Sequence, residues 1–315
     1  MQEIKDNHES KKCIKCGSKE IVKNGHNGGK QLYKCKCCGF QFLGGKRIDE
    51  EEVWREYTEG KQTLSALAHK YRCSSKTIQR RIHSYKLVKT SPSPSEVTII
   101  MDTTYFGRGN GLMVFMDALS GKILLRFWVK SETSAQYKNG ISILKGRGFS
   151  VNGIVCDGKL GLLGLFEEIP TQLCQFHQIQ IVRRYLTQKP KMAASIELLS
   201  LAKSLTTLSK PSFTKRLADW HSKWKDFVNE RTIPQVGKSF YTHKRLRSAY
   251  FSLKRNLPWL FTYQDPKNFG MPNTSNQLEG LFSHLKSYLR NHNGLSDETK
   301  NKLIDGFFEA SGAKK

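Results

Sequence analysis

Three carboxylates are set apart by their surroundings. Asp102 closes the apolar run VTIIMD, Asp157 closes VNGIVCD, and Glu279 lies in NQLEGLFSHLKSYLR. In the last stretch Leu278, Leu281, Phe282, Leu285 and Leu289 fall at i, i+3, i+4, i+7 and i+11, one apolar stripe of an α-helix. Glu279, Ser283, Lys286 and Arg290 form a second stripe about 100° around it. A carboxylate therefore rides at the edge of a buried face, with two cations below it on the same line. Asn273, Thr274 and Asn276 are candidates to cap the helix. Acids from two strand ends and one helix suit hard divalent cations such as Mg²⁺ or Mn²⁺, which prefer oxygen ligands. Two such ions roughly 3.5–4 Å apart can clamp an in-line displacement at phosphorus. Asp102 is placed to be shared between them, with Asp157 and Glu279 flanking. The plainer alternative for any one strand-end aspartate is a turn or cap residue, as expected for Asp117, and for the helix a solvated charged edge.

A second set of residues has a different chemistry. Cys13-x-x-Cys16-Gly17 and Cys35-x-Cys37-Cys38-Gly39 place two Cys-x-x-Cys pairs on either side of an 18-residue spacer. Zn²⁺ takes four thiolates in a tetrahedron, and four cysteines leave no open position, so one structural ion is expected. Each pair ends in Cys-Gly, which favours Cys13, Cys16, Cys35 and Cys38 as ligands over Cys37. The intervening segment predicts a β-hairpin turning between Asn24 and Gly29. Residues 1–46 thus read as a zinc ribbon; a redox pair fits two such motifs poorly.

These sites sit in a chain of 315 residues with 52 Lys+Arg against 27 Asp+Glu, a formal charge of +25. Charge of that size concentrates polyanions, which makes nucleic acid the first partner to consider and an anionic membrane surface the second. No apolar run approaches the roughly 18 residues needed to span a bilayer, and MQEIKDNHESKK has no signal-peptide character. The expectation is a soluble cytoplasmic protein with no membrane role. Eight cysteines, clustered in such a chain, point to metal and not to disulfides.

The elements that must hold these residues follow the hydrophobic period. Residues 47–89 predict helices: DEEE opens the first, Leu64, Leu67, Ala68 and Tyr71 share a face, and Ile78, Ile82 and Tyr85 share the next. A tight turn at Cys73-Ser74-Ser75 joins the last two, and Lys76, Gln79, Arg80 and Arg81 point outward as DNA contacts. This is a helix-turn-helix reading, with a basic helical spacer as its alternative. TSPSPS at 90–95 is a linker. Residues 96–178 predict a strand ending at Asp102, a meander through LMVFMDALSGK and ILLRFWVKS, and a helix from SAQYKNG onward. A strand ending at Asp157, a short helix LGLLGLFEEI and a short strand TQLCQFH follow. That order is an α/β, ribonuclease H-like one, and it makes Asp102 and Asp157 neighbours. Residues 179–262 are helical, basic and punctuated by prolines, an all-α insertion before 263–315, which carries the Glu279 helix.

Asp102, Asp157-Gly158, Cys174-Gln175-Phe176-His177, Asn276-Gln277-Leu278-Glu279 and Arg290-Asn291-His292-Asn293-Gly294-Leu295-Ser296 occur in that order. The combination resembles the Mutator-like DDE transposases of bacterial insertion sequences, in a variant with an N-terminal zinc ribbon. The resemblance implies a ribonuclease H-like core and metal-dependent cleavage and strand transfer of double-stranded DNA at element ends and target. It also implies a homodimer or larger synaptic assembly. Asp102, Asp157 and Glu279 would be the ligands of two Mg²⁺ or Mn²⁺ ions, and His177 a catalytic residue near the scissile phosphate. Cys174 and Asn276 would support the site, and Lys286 and Arg290 would steady phosphates. From the residues alone, His177 also reads as a satisfied core histidine, and Cys174-x-x-His177 as half a zinc site. Two other functions share these features: an inert DNA-binding regulator, and a ribonuclease H-like nuclease without strand transfer.

Overall fold

The computed structural model describes residues 12–28, 30–43, 48–60, 62–87, 92–159, 161–292 and 294–312. The expected boundaries at 46/47 and 89/90, Thr90 and Ser91 of the linker, Gly29 of the hairpin turn, and Asn293 lie outside those residues. The chain divides into two compact units, Met1–Lys86 and Leu87–Lys315.

In the first unit, β1 (Ile21–Asn27) pairs antiparallel with β2 (Lys30–Cys35). The ladder extends to Asn27 and Lys30, with a register irregularity between Lys23 and His26 inside the segment expected to turn. A third strand not anticipated, β3 (Gln41–Leu43), pairs with β2. Three short helices follow: α1 (Glu50–Thr58), α2 (Leu64–Lys70) and α3 (Ser75–Ser84). Each has a side-chain N-cap, from Asp49, Thr63 and Ser74, which satisfies one of the amides a helix start leaves unpaired. Leu67, Ala68, Ile78 and Ile82 are buried between them.

The second unit is built on a five-stranded sheet of order β6-β5-β4-β7-β8. β4 (Glu96–Tyr105), β5 (Gly111–Asp117) and β6 (Ile123–Val129) form the antiparallel meander. β7 (Ser150–Cys156) and β8 (Thr171–Leu173) run parallel to β4. Every residue of β5 is buried, as a strand covered on both faces requires. One face is covered by α4 (Ser134–Gly146), which Thr133 and Gln136 start with a reciprocal capping box. Its Tyr137, Ile141 and Leu144 join Met101, Met113 and Phe115 in one core. Gly140 is what lets α4 approach: a Cβ there would lie 2.0 Å from the Phe115 ring. This mixed sheet with its helices fits a ribonuclease H-like core.

Three predicted elements change. Asp102 is not the last residue of its strand, which runs on to Tyr105. The predicted helix LGLLGLFEEI is absent from residues 161–169, which form turns; Gly161 and Gly164 sit at φ +77° and +82°, a left-handed backbone that a right-handed helix cannot contain. The strand TQLCQFH stops at Leu173, and Gln175 already begins α5 (Gln175–Leu186).

Helices α5, α6 (Ala193–Lys203), α7 (Lys210–Asn229) and α8 (Lys244–Leu260) share a second core around Val182, Leu198, Phe213, Trp220 and Leu253. The segment is not wholly helical: β9 (Arg231–Thr232) and β10 (Phe240–Tyr241) form a minimal hairpin before α8. Buried amides link α5 and β8 to α8. Gln172 and Gln175 each donate from Nε2 to the Leu260 carbonyl (3.0 and 2.9 Å), and Asn256 Nδ2 donates to Gln178 Oε1 (2.7 Å). Helix α9 (Asn276–Arg290) then returns to the sheet, with Leu278, Phe282, Leu285 and Tyr288 buried. A last helix, α10 (Asp297–Gly312), was not foreseen. It is held to β6 by Arg126, whose Nη2 lies 3.0 Å from Asp305 and 3.3 Å from Glu309, and to α9 by stacking of Phe307 on Tyr288.

Candidate active site

The register of the sheet brings the two aspartates together. In the parallel ladder of β4 and β7, Ile99 faces Ile154 and Ile100 faces Val155. Continuing that register, Asp102 in β4 and Asp157, the residue just past β7, come to the same end of two adjacent strands, which lie about 4.8 Å apart in a sheet. Thr103 N–H donates to Asp102 Oδ1 (2.7 Å), and Lys159 N–H to Asp157 Oδ1 (3.1 Å). Burial pushes the Asp102 carboxyl up to about 7, against the Thr103 amide and His177, with Asp157 and Glu132 adding to the rise. Burial, then the charge of Glu132, also raises Asp157.

Glu279 reaches the site from the first turn of α9. Its Oε1 accepts from Ser275 Oγ (3.2 Å) and lies 3.6 Å from His177 Nδ1. A joint between two helix starts sets this placement. Gln175 N–H donates to the Asn273 carbonyl (3.0 Å), Asn273 Nδ2 to Gln175 Oε1 (2.9 Å), and Ser275 N–H to Cys174 Sγ (3.2 Å). Asn276, expected to support the site, is exposed at the helix start, and the residues that tie α9 to α5 are Asn273 and Ser275. Ser275 takes the N-cap position without a side-chain cap bond.

His177 lies in the first turn of α5, not beyond the end of a strand. Its charge acts on Asp102, on Asp157 and with Glu279. Burial works against its protonation, yet Cys174, Glu279 and Asp102 outweigh it and raise the imidazole to about 9. The Cys174 thiol is lowered overall; burial opposes this, and His177 and Ser275 overcome it.

Glu132 was missed by sequence reasoning. It follows β6 in an irregular segment, where no periodicity marks it. Its Oε1 accepts from Tyr137 OH (2.6 Å), its Oε2 pairs with Lys159 Nζ (2.9 Å), and Tyr137 OH meets Thr103 Oγ1 (3.0 Å). The network ties the residue after Asp102 to the loop after Asp157. The donor set is thus hard and oxygen-rich, and it carries more negative charge than His177 and Lys159 offset. Such a set fits divalent cations, with Asp102, Asp157 and Glu279 as the residues that would hold them. The three carboxylates do not form one tight knot: among the described residues, only two groups of three or more possible ligands lie within 4.8 Å of one another. One is Cys174, His177 and Glu279; the other is Cys13, Cys16, Cys35 and Cys38.

In the cysteine group, Sγ atoms of Cys13 and Cys38 are 3.5 Å apart and those of Cys16 and Cys35 are 3.6 Å apart. A tetrahedron with Zn–S bonds near 2.3 Å has edges of about 3.8 Å, whereas a disulfide needs about 2.05 Å. The cluster is compatible with a zinc ribbon. Cys37 is exposed and outside it.

The predicted DNA contacts divide. Lys76, Gln79 and Arg80 are exposed on α3, but Arg81 is half-buried and its Nη1 pairs with Glu50 Oε1 at 2.7 Å. It braces α3 on α1 and does not point freely outward. Lys286 and Arg290 line a pocket of about 520 Å³ with Tyr105, Phe106, Ser283 and Lys300.

No protein-family model and no curated protein matches the chain. Among solved structures, it is similar to the Drosophila P element transposase strand transfer complex, at 11% identity over 86% of this chain and 94% of that one, with a TM-score of 0.43. It is also similar to a chain of the simian T-cell lymphotropic virus intasome bound to PP2A regulatory subunit B56 gamma: 12% identity, 65% and 66% coverage, TM-score 0.23. A third similarity is to the Mos1 strand transfer complex, at 12% identity, 58% and 78% coverage and a TM-score of 0.19. Among the described residues, no helix is long and apolar enough to cross a membrane.

Proposed function

We propose that the chain is a DDE transposase, similar to the Mutator-like enzymes of bacterial insertion sequences, that cleaves DNA at element ends and transfers the strand to target DNA. The observation that carries this reading is the parallel register of β4 and β7, which brings Asp102 and Asp157 to the same end of two central strands, where His177 acts on both and lies 3.6 Å from Glu279. In this reading Asp102, Asp157 and Glu279 hold two Mg²⁺ or Mn²⁺ ions. When bound, such ions activate the attacking oxygen and stabilise the leaving one at phosphorus.

The chain's own groups do the rest. The Thr103 and Lys159 amides fix one oxygen of each aspartate, leaving the others for the site. Glu132 holds Lys159 and Tyr137 and so keeps the end of β4 and the loop after Asp157 in step. His177, protonated among three carboxylates, offers its charge to the phosphate and orients Glu279. Lys286 and Arg290, two and three turns along α9, contact the flanking phosphates, and Lys76, Gln79 and Arg80 contact element-end DNA. The ribbon cysteines hold one structural Zn²⁺. Water attacks first; the freed 3′-hydroxyl then attacks target DNA at the same place. Two ends must meet, so the working form is a homodimer or larger assembly, acting in the cytoplasm on the nucleoid.

The test is to incubate the full chain with Mg²⁺ or Mn²⁺ and DNA carrying its own element ends. A joined product that disappears in Glu279→Gln is expected. Cleavage without joining would make the chain a nuclease, and binding alone a regulator; either overturns the proposal.

A further inference from the structure

Cys174, His177 and Glu279 bring a thiol, an imidazole and a carboxylate oxygen within 4.8 Å of one another. Asp102 and Asp157 offer only hard oxygens, whereas this triad mixes sulfur, nitrogen and oxygen, the donor set that Zn²⁺ favours. The spacing suits it. A tetrahedral ion with Zn–N and Zn–O bonds near 2.1 Å separates the two donors by about 3.4 Å, and His177 Nδ1 lies 3.6 Å from Glu279 Oε1. Cys174 is the N-cap of α5 and His177 its third residue, so both face one side of the first turn. The buried Nδ1 of His177 has no hydrogen-bond partner, which is unusual for a buried polar atom. The joint through Gln175, Asn273 and Ser275 holds the triad together without an ion. Cys174 forms the buried floor, and His177 and Glu279 keep 28% and 29% side-chain exposure, so an ion can enter from solvent.

We propose that Cys174, His177 and Glu279 form a second, soft-cation site that takes Zn²⁺ with one coordination position left open. Both soft donors ligate only when deprotonated, so binding releases to solvent the proton of the His177 imidazolium as well as that of the Cys174 thiol. Because Glu279 belongs to both donor sets, an ion here withdraws it from the hard-cation site and stops the reaction. That consequence rests on the proposed function; the binding itself does not.

The test titrates Co²⁺, a spectroscopic stand-in for Zn²⁺, into metal-free full-length protein held in excess Mg²⁺. Thiolate-to-cobalt charge-transfer absorption should saturate at two ions per chain, one in the ribbon and one in the triad. Cys174→Ser should saturate at one. Glu279→Gln, which keeps the buried Cys174 packing intact, should weaken the second ion at least tenfold while leaving the first unchanged. Saturation of the parent at one ion, or two unaltered ions in both variants, overturns the site. In a separate arm, one equivalent of Zn²⁺ beyond the ribbon ion should suppress Mg²⁺-dependent joining at least tenfold, reversibly by chelator. Full joining with the second ion demonstrably bound overturns the inhibitory role. Absence of all joining in metal-replete parent would instead count against the transposase reading and leave the binding result standing.

Discussion

His177 Nδ1 stands 3.6 Å from Glu279 Oε1, although 101 residues separate them in the chain. One residue is in the first turn of α5 and the other in the first turn of α9, and the bond pair between Gln175 and Asn273 closes the gap.

That closure makes a mutational prediction. Gln175 is fully buried, and its Oε1 accepts from Asn273 Nδ2. Asn273→Ala removes the donor and leaves the acceptor unsatisfied, at a cost of about 1–3 kcal/mol. Urea unfolding should show that loss, and strand joining should fall at least tenfold while DNA affinity changes less than twofold.

The raised Asp102 carboxyl predicts a pH dependence in the metal-free protein. An acid whose pKa is raised on folding binds its proton more tightly when folded. Its contribution is therefore fully present below the unfolded value near 3.8 and is lost as pH rises through about 7. His177, raised from 6.5 to about 9, loses its contribution over the next interval. Stability should fall from pH 4 to 9 in two overlapping stages. Asp102→Asn should flatten the first and leave the protein on the order of 2–4 kcal/mol more stable than the parent at pH 8. Denaturant unfolding at several pH values, with chelator present, checks this.

Metal removal separates the cysteines. Cys38→Ser should lower the zinc content by one ion per chain, and Cys37→Ser should leave it unchanged, because only Cys38 joins the cluster. Structural zinc supplies folding energy outright, so chelation should abolish the amide protection of β1 and β2. Hydrogen exchange reads this strand by strand.

The cations of α9 predict a salt effect. Lys286 and Arg290 are exposed and share a pocket with Lys300. If each contacts one phosphate, single alanine substitutions should lower the slope of log affinity against log salt by about 1 each, with little change in sequence preference. Fluorescence anisotropy over a range of salt concentrations measures it.

Much of the sheet was legible because its strands are apolar runs broken by glycine turns, and a parallel crossover must bring such strands together. Asp157 at the end of Val151–Cys156 could be read directly, and the Leu278, Phe282 and Leu285 stripe located the Glu279 helix. Residues 161–169 misled because leucines at helical spacing outweigh two glycines in a pattern, whereas the backbone obeys the glycines' positive φ. Glu132 could not be found by period or motif. Its place depends on Tyr137 and Lys159, which the fold alone brings to it. Asn273 reads from the sequence only as a helix-cap candidate, and Ser275 carries no signal, because capping preferences do not register a tie to a distant helix. The α10 helix carries its own signal in Leu303, Ile304, Phe307 and Phe308, which recur at helical spacing.

Helix α5 begins at the site and ends inside the inserted helices. His177 occupies its first turn, and Ile179, Val182 and Leu186, one to three turns on, are buried in the core shared with α6, α7 and α8. The imidazole is therefore aimed by a rod whose far end is clamped in another layer of the molecule. Trimming the inserted helices to obtain a minimal catalytic fragment would unclamp that rod, and the fragment would lose the aim of His177 along with the helices.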